Sequence, residues 1–402
     1  MEQKLARFTA IFTCVFSIFA CMAVFFLPVL EQRIETFRAG IRRDQQAREE
    51  RYALLKQMSG LEILEYNTQQ VQEQAEKKEQ ERKESQEEPK EDAESSKEKD
   101  AGEKEEVIVI THQMQFELPK GADASNVGIY EDYLNQKIEI RIPGADENYI
   151  YDYQMLGKSD DIEDLESLDY YSETGSGKIV LSMGTIVETQ SSFDNDYLYL
   201  DFEDPREIYD RILVVDAGHG GNAPGAVSGS RYEKDITLAI VQKMKALFDK
   251  EKNSRTGVFY TRLDDSNPDF SERCGLANRL GADLFLSIHI NSLKGHADVE
   301  GVEVLYDEMA PDTEFDTREF AQICLDEIVA ASGAKKRSLK SGNKIYIIRN
   351  SAVPAALAEV GFMNNPNELA RLLDASYQQK IAQGCYNAVY RAFARLDELE
   401  GT

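Results

Sequence analysis

The sequence contains no tryptophan and only four histidines among its 402 residues. It also lacks an excess of basic residues, because 73 Asp and Glu outnumber 46 Lys and Arg and give a formal net charge of -27 at pH 7. Binding to nucleic acid needs a basic surface that releases counterions from the phosphates. The charge balance therefore predicts a protein that does not bind nucleic acid.

Cysteine is too sparse and too scattered for a disulfide framework. Cys14 and Cys21 fall in a long apolar stretch near the start of the chain, and Cys274, Cys324 and Cys385 fall in segments with helical patterns. An odd number of cysteines outside the apolar stretch argues against paired thiols. We expect these three to be buried as small apolar side chains, so cysteine usage does not indicate the redox compartment.

A long hydrophobic run, residues 8–30, follows a short N-terminal tail, residues 1–7. About 20 apolar residues cross a bilayer, so this length predicts a single transmembrane anchor. A cleaved signal peptide is the alternative, but the run is long for one and lacks a clear small-residue cleavage site. The positive-inside rule by itself would place the rest of the chain in the cytoplasm, because five arginines follow the run: Arg33, Arg38, Arg42, Arg43 and Arg48.

Residues 31–106 are predicted to form a linker whose character changes along its length. Scattered apolar residues as far as about Tyr66 are compatible with a helix. From Asn67 to Glu106 almost every residue is Glu, Lys, Gln, Asp, Ser or Ala. Such a segment cannot bury enough apolar surface to offset the entropy lost on ordering. We therefore expect a disordered, charged tether that spaces the following domains from the membrane.

Residues 107–204 are predicted to form a small all-β domain. Apolar and polar residues alternate in Ile138–Ile142 and Tyr197–Phe202, between segments rich in turn-forming residues. The domain contains His112 but no other histidine and no cysteine, so its sequence offers no metal site and no nucleophile. We expect His112 to be solvated at a strand edge, and the domain to bind or position a ligand rather than to catalyse a reaction.

Residues 205–402 are predicted to form a catalytic domain. Helical spacing of apolar residues marks Glu233–Phe248, whereas short apolar runs at Ile212–Val215, Ala282–Leu286 and Lys344–Ile348 predict strands. The alternation of strands with helices indicates an α/β domain whose sheet is covered by helices on both faces.

Several of the predicted strands of this domain lead into polar residues that suit catalysis. His219 follows a buried run in a glycine-rich turn, His289 ends a second run, and Glu359 lies in a third. Ligands bind at the carboxyl ends of strands in open α/β sheets. A phosphate-binding loop and an ordinary turn are the alternatives around His219. The Glu359 carboxylate needs a metal or a bound water as its partner, because its run contains no Lys or Arg.

These motifs, in this order, resemble one known family over about residues 212–393, the zinc-dependent N-acetylmuramoyl-L-alanine amidases of the Amidase-3 family. The resemblance implies a mixed sheet flanked by helices on both faces. Thr237 stands where this family commonly has Asn, and Asn364 where it commonly has Ser. The resemblance rests on Val-Asp-Ala-Gly-His219-Gly-Gly, Glu233-Lys-Asp, Glu272-Arg273 with Ala277-Asn278, Ser-Ile-His289-Ile-Asn and Glu359-Val-Gly-Phe-Met-Asn-Asn-Pro366.

The resemblance also implies roles for the site residues. It makes His219, Glu233 and His289 the expected zinc ligands and Glu359 the expected catalytic carboxylate. Three protein ligands leave a fourth zinc position for water, and Glu359 is expected to take the proton of that water. Without the resemblance, Glu233 would be interpreted as an ordinary acid at a helix start. Arg273 is interpreted either as part of a helix-surface salt bridge or as a contact to a stem-peptide carboxylate.

The function implied is that of a cell-wall hydrolase that cuts the amide bond between N-acetylmuramic acid and L-alanine in peptidoglycan. The alternatives are a zinc peptidase acting on another peptidoglycan amide and a non-catalytic wall-binding protein on the same fold. The β domain, loosely similar to AMIN modules, is expected to bind wall polymer or a septal partner. Because peptidoglycan lies outside the membrane, we expect the catalytic domain outside the cell, against the arginine count.

Overall fold

The computed structural model describes residues 32–33, 35–43, 45–87, 110, 112–157, 162, 164–251, 255–311 and 313–401. The predicted transmembrane run at residues 8–30 lies outside these residues. Within the described ranges, no helix combines the length and the apolar character needed to cross a membrane.

The described chain that precedes the β domain is mostly helical, with a break at residues 56–59. Residues 45–55 are helical, and helix α1 covers Gly60–Glu87. Ser59 and Glu62 begin α1 with reciprocal hydrogen bonds, in which the Ser59 amide donates to the Glu62 carboxylate at 2.7 Å and the Glu62 amide donates to Ser59 Oγ at 3.3 Å. The predicted disordered tether is therefore wrong for residues 67–87, whereas residues 88–106 lie outside the described part of the chain.

Contacts with the β domain hold the first turns of α1 in place. Ile63 and Leu64 are buried, and Thr68 Oγ1 accepts a hydrogen bond from the Gly157 amide at 2.9 Å. At Gly60 an added Cβ would lie 2.1 Å from the Leu168 carbonyl oxygen, so only glycine allows this close approach. Composition misled the prediction because a few buried residues at one end anchor a helix whose side chains at residues 69–80 are mostly polar and exposed.

The β domain consists of two four-stranded sheets in which every pairing is antiparallel, with strand orders β4-β1-β8-β7 and β2-β3-β6-β5. Alternate residues of the strands point into one core that also includes Leu55 and the buried face of α1. The elements are β1 Met114–Glu117, β2 Gly128–Asp132, β3 Lys137–Pro143, α2 Tyr149–Asp152, β4 Met155–Gly157, β5 Leu165–Glu173, β6 Ser176–Met183, β7 Glu188–Phe193 and β8 Tyr197–Glu203.

The carboxyl-terminal half is built around a six-stranded sheet with the order β12-β9-β13-β16-β14-β15. Its strands are β9 Arg211–Ala217, β12 Thr256–Tyr260, β13 Leu284–Asn291, β14 Val302–Tyr306, β15 Lys336–Ser341 and β16 Ala355–Phe362, and a separate small hairpin pairs β10 Val227–Ser228 with β11 Arg231–Tyr232. Its helices are α3 Pro205–Ile208, α4 Glu233–Phe248, α5 Phe270–Arg279, α6 Thr317–Ser332, α7 Tyr346–Arg349, α8 Pro366–Leu372 and α9 Ala375–Glu400.

This sheet is mixed, which confirms the predicted α/β architecture. Strands β12, β9, β13 and β16 are parallel, whereas β14 pairs antiparallel with β16 and β15 runs parallel to β14. Leu213 and Val215 of β9 pack into a core with α4, α6 and α9, and the alternate residues Ile212 and Val214 pack into a second core with α5 and α7. Helices therefore cover both faces of the sheet. The carboxyl ends of its parallel strands lie together at one end of the sheet.

The predicted strand at Lys344–Ile348 is wrong. Residues 346–349 form the short helix α7, and the edge strand is β15. Ile347 and Ile348 are both buried in the same core, although neighbouring residues of a strand would point to opposite faces. The three cysteines of the described residues, Cys274, Cys324 and Cys385, are free and buried, as predicted.

Candidate metal centre

The turn after β9 brings two histidines together through close backbone contacts. At Gly218 an added Cβ would lie 2.4 Å from the His289 ring, so a larger residue would displace that imidazole. His219 itself has a φ of 65°, a left-handed conformation that non-glycine residues rarely adopt. The glycine-rich turn thus serves close packing around the two imidazoles, which touch with ring centroids 4.8 Å apart.

Both imidazoles converge on one carboxylate oxygen of Glu233, the first residue of α4. His219 Nε2 lies 3.1 Å from Glu233 Oε1, and His289 Nδ1 lies 3.0 Å from the same atom. The Ile290 amide donates to Oε1 at 2.8 Å, and the Ala226 amide donates to Oε2 at 2.7 Å. The backbone therefore fixes the orientation of a carboxylate that is only 3% exposed.

The surroundings of Glu233 favour its charged form. Burial by itself raises the pKa of this carboxyl, but hydrogen bonds and charge interactions with His219 and His289 outweigh burial and hold the pKa well below its ordinary value. A carboxylate with two imidazoles beside it is a donor set with nitrogen and oxygen ligands, as zinc prefers. The ligand atoms of the three residues lie within 4.8 Å of one another, so they could hold one metal ion.

Glu359 lies beside this cluster on β16. In the register of the sheet it stands opposite His289 of β13 on one side and opposite Glu303 of β14 on the other. Burial, with added repulsion from Glu233 and Glu303, raises the pKa of Glu359 to about 8. Its Oε2 atom is buried and has no hydrogen-bond partner within the described residues. A buried carboxyl oxygen without a partner is costly, and it marks a group available to a reacting molecule.

A buried ion pair between Asp216 and Arg273, which the sequence did not reveal, stabilises the turn after β9. Asp216 is fully buried and accepts hydrogen bonds from Thr261 Oγ1 at 2.6 Å, from Ser287 Oγ at 2.6 Å and from Arg273 Nη1 at 2.7 Å. Arg273 also donates to the carbonyl oxygen of His219 at 2.8 Å. Arg273 is 2% exposed, so both sequence interpretations, a surface salt bridge and a contact to substrate, are wrong.

A second buried arginine holds the other side of the turn. Arg262 donates to the carbonyl oxygens of Ala217 and Gly218 at 2.8 and 2.9 Å. Thr237 Oγ1 donates to the Gly218 carbonyl oxygen at 2.9 Å. Position 237, where the Amidase-3 family commonly has Asn, therefore also contacts this turn. A charged residue inside an apolar run, such as Asp216, was the available signal, but sequence does not show which cation answers it.

The two other histidines lie outside the cluster. His112 is paired in the β domain, with Nδ1 2.6 Å from Asp201 Oδ2, rather than simply solvated. His296 is exposed in the loop after β13. The structure thus brings together His219, Glu233, His289 and Glu359, the residues singled out in the sequence, and no further group of metal-binding side chains forms in the described part of the chain.

Comparison with known proteins places the same half of the chain among amidases. A model of the Amidase_3 family, described as N-acetylmuramoyl-L-alanine amidase, matches residues 213–391. YqiI of Bacillus subtilis (strain 168), itself uncharacterized, is 34% identical over 45% of this chain and 84% of its own length. The sporulation-specific N-acetylmuramoyl-L-alanine amidase of the same organism is 32% identical over 45% of this chain and 68% of its own length. A solved N-acetylmuramoyl-L-alanine amidase from Clostridium difficile 630 is 32% identical, with a TM-score of 0.43, over 46% of this chain and 97% of that one.

Proposed function

Because this chain belongs to the Amidase_3 family of N-acetylmuramoyl-L-alanine amidases, we propose that its four site residues form a zinc-dependent active site. The chain is a peptidoglycan hydrolase that cuts the amide bond between N-acetylmuramic acid and L-alanine. The convergence of two imidazoles and one buried carboxylate beside the unpartnered Glu359 is the observation that carries the proposal.

His219, Glu233 and His289 would hold the zinc ion. When bound, zinc lowers the pKa of a water ligand towards about 7 and polarises the scissile carbonyl. The buried backbone contacts of Glu233 keep its carboxylate oriented before the ion arrives, so less ordering is needed on binding. Glu359 stands opposite His289 and has a free oxygen, which suits a group that exchanges protons.

Glu359 is the proposed general base and acid. Its carboxylate takes a proton from the attacking water and then delivers that proton to the leaving amine of L-alanine. The sheet register keeps the Glu359 side chain on the same face as the His289 side chain, because directly paired residues of neighbouring strands share a face. Positive charge near the cluster would lower the pKa of Glu359 and favour its basic form at neutral pH.

The test is digestion of purified peptidoglycan with the purified full chain, followed by mass spectrometry of the products. The proposal expects stem peptides that begin with a free L-alanine amine, and glycan strands that keep an unsubstituted lactyl carboxyl group. Fragments cut within the stem peptide would show a zinc peptidase instead. Binding without any cleavage would indicate a non-catalytic wall-binding protein.

We further propose that the catalytic domain lies outside the cell, tethered by residues 8–30. The support is chemical, because the substrate lies outside the membrane, and the rule that long domains cross largely regardless of flanking charge removes the conflict with the arginine count. A protease added to wall-stripped cells should degrade the domain without lysis. Protection until lysis would refute this placement.

We also propose that the β domain binds wall polymer or a septal partner, as an AMIN-like module would. The support is the domain's architecture of two four-stranded antiparallel sheets, among whose described residues no cluster of metal-binding side chains forms. Sedimentation of the full chain with purified walls, before and after deletion of residues 112–203, would test the proposal. Unchanged sedimentation would refute wall binding by this domain.

A further inference from the structure

Beyond Glu359, the row of polar side chains continues across the sheet towards the edge strand. His289 pairs with Glu359, and Glu359 pairs with Glu303, so the three side chains lie side by side on one face. The next strand outward is β15, which contributes Arg337. Arg337 Nε donates to Glu303 Oε1 at 2.6 Å. A guanidinium group is thus separated from the proposed catalytic carboxylate by a single residue.

The Glu303 carboxylate contacts two cationic side chains and one amide side chain. Lys340 Nζ lies 3.8 Å from the same Glu303 oxygen that Arg337 contacts, and Asn291 Nδ2 donates to Oε2 at 3.2 Å. The side chains of Arg337 and Lys340 are 30% and 49% exposed, whereas that of Glu303 is 8% exposed. Two accessible cationic side chains therefore share one buried carboxylate partner.

Arg337 also has guanidinium donors that no group of the described residues fully uses. Its guanidinium lies over the Phe362 ring, 5.2 Å from the ring centroid. Its Nη1 bond to the Glu300 carbonyl oxygen is long, at 3.4 Å, and within the described residues its Nη2 donates no hydrogen bond. A planar guanidinium with free donors matches the two oxygens of a carboxylate.

The basic character of this edge stands out in an acidic protein. Residues 335–349 contain six Lys and Arg and no Asp or Glu, in a chain whose net charge is -27. Much of that charge has a local partner elsewhere: Lys336 pairs with Asp326, and Lys335 lies 3.8 Å from Glu300. Arg337 and Lys340 are the cations of this segment that face the row of site residues through Glu303.

We propose that Arg337 and Lys340 form a carboxylate-binding subsite that recognises an acidic group on the stem peptide of the substrate. The proposal rests on the amidase function proposed above and names the chemistry that the site prefers next to the scissile bond. Arg273 cannot play this role because it is buried and bonded within the protein. The subsite makes the enzyme selective for muropeptides whose stem carboxyl is free over those in which the same carboxyl is amidated.

Two soluble substrates test the subsite directly, N-acetylmuramoyl-L-alanyl-D-glutamate and its α-amide, the D-isoglutamine form, which differ in one charge. With the purified full chain, we expect kcat/KM for the acid to exceed that for the amide about tenfold, as for one charge-assisted hydrogen bond to a partly exposed site. Arg337→Met should bring this ratio close to one, mostly through KM for the acid. Arg337→Lys, which keeps the charge but not the planar fork, should keep part of the preference.

Lys336→Met is the matched control, since it removes one exposed positive charge from the neighbouring position of the same strand, away from Glu303. It should keep the wild-type ratio. Equal kcat/KM for the two substrates in the wild type would overturn the subsite while leaving amidase function intact. A fall in Arg337→Met that is equal for both substrates would also overturn it and show that Arg337 acts through Glu303. Cleavage of neither substrate by a wild type that digests peptidoglycan would overturn the subsite alone, whereas failure on peptidoglycan as well would refute the amidase function.

Discussion

The two ends of the six-stranded sheet carry charge in opposite ways. At the amino end of β9, Arg211 contacts Asp397, Glu400 and Asp283, and Arg206 contacts Asp283 as well. At the carboxyl end of the sheet, Glu233, Glu303 and Glu359 lie close together, and one oxygen of Glu359 has no hydrogen-bond partner in the described part of the chain. Paired charges at one end stabilise the fold, and incompletely paired charges at the other end are available for chemistry.

Charged side chains lie at both ends of the sheet, but their pairing differs. Ion pairs between exposed side chains contribute little each and depend weakly on any one partner. Buried acids that repel one another lower stability and persist only where they serve a function. Substitutions at the carboxyl end of the sheet should therefore have larger effects than substitutions at its amino end.

The largest effect is expected from His219→Ala, which removes one of the three proposed zinc ligands. A site with only two protein ligands binds the ion poorly, so the variant should lose bound zinc and its peptidoglycan hydrolysis should fall to background. Elemental analysis and product mass spectrometry check this. The control is His296→Ala, which changes an exposed histidine and should keep both zinc and activity. Full zinc occupancy in His219→Ala would contradict the ligand assignment.

Glu359→Gln should affect the chemical step while leaving the metal in place. The amide has the same shape as the acid but cannot accept the proton, so the rate should fall by about 10²- to 10⁴-fold. Glu308→Gln, at an exposed carboxylate after β14, serves as the control. If Glu359→Gln loses zinc and recovers activity with excess metal, Glu359 is a ligand and Glu233 is the better candidate for the base.

Arg273→Met tests the buried ion pair between Arg273 and Asp216, which connects the core to the turn that contains His219. It leaves Asp216 charged and unpaired in the core and should lower the free energy of unfolding by about 3–5 kcal/mol. Denaturant titration of the full chain measures this loss. Arg279→Met, on the exposed side of the same helix, removes one exposed hydrogen bond to the Leu134 carbonyl oxygen and should cost only about 1 kcal/mol. Equal losses in the two variants would show that the Asp216 pair has no special role.

The metal-free protein should become less stable as pH rises, because of Glu359. The pKa of this carboxyl is raised from its ordinary 4.5 to about 8 by burial and by Glu233 and Glu303. Between these values the unfolded chain loses the proton and the folded chain keeps it, so stability falls as pH rises and is lost through about pH 8. Unfolding of chelator-treated protein from pH 5 to 9 should show this dependence, weakened in Glu359→Gln by on the order of a few kcal/mol. A dependence equal in both proteins would assign it to other groups.

The smallest effect is expected at the opposite end of the sheet. Arg211→Met removes contacts to Asp283, Asp397 and Glu400, two of which are about half exposed at 49% and 53%. The expected loss is about 1 kcal/mol, with zinc content and activity unchanged. Calorimetry and the hydrolysis assay check both parts. A drop in activity at constant stability would mean that the two ends of the sheet are coupled.

Much of the catalytic domain could be predicted from local pattern. Apolar runs predict buried strands, and the carboxyl ends of parallel strands lie at the same end of a sheet. This pattern singles out His219, His289 and Glu359. Glu233 was identified only through the resemblance to a family, since by itself it is an acid in the first turn of a helix. Two predicted assignments are wrong, the tether from Asn67 to Glu87 and the strand at Lys344–Ile348, because the first turns of α1 and the side chains of α7 pack against residues distant in the sequence.

Periodicity and composition act over short stretches of chain, so they predict most of the buried segments and the strand ends that carry polar side chains. They do not predict which residues meet in the folded chain: His289 with Glu359, Asp216 with Arg273, and Arg337 with Glu303. The physical reason is that strand order brings together residues far apart along the chain, and a charge is defined as paired or unpaired only by the neighbours that this order gives it.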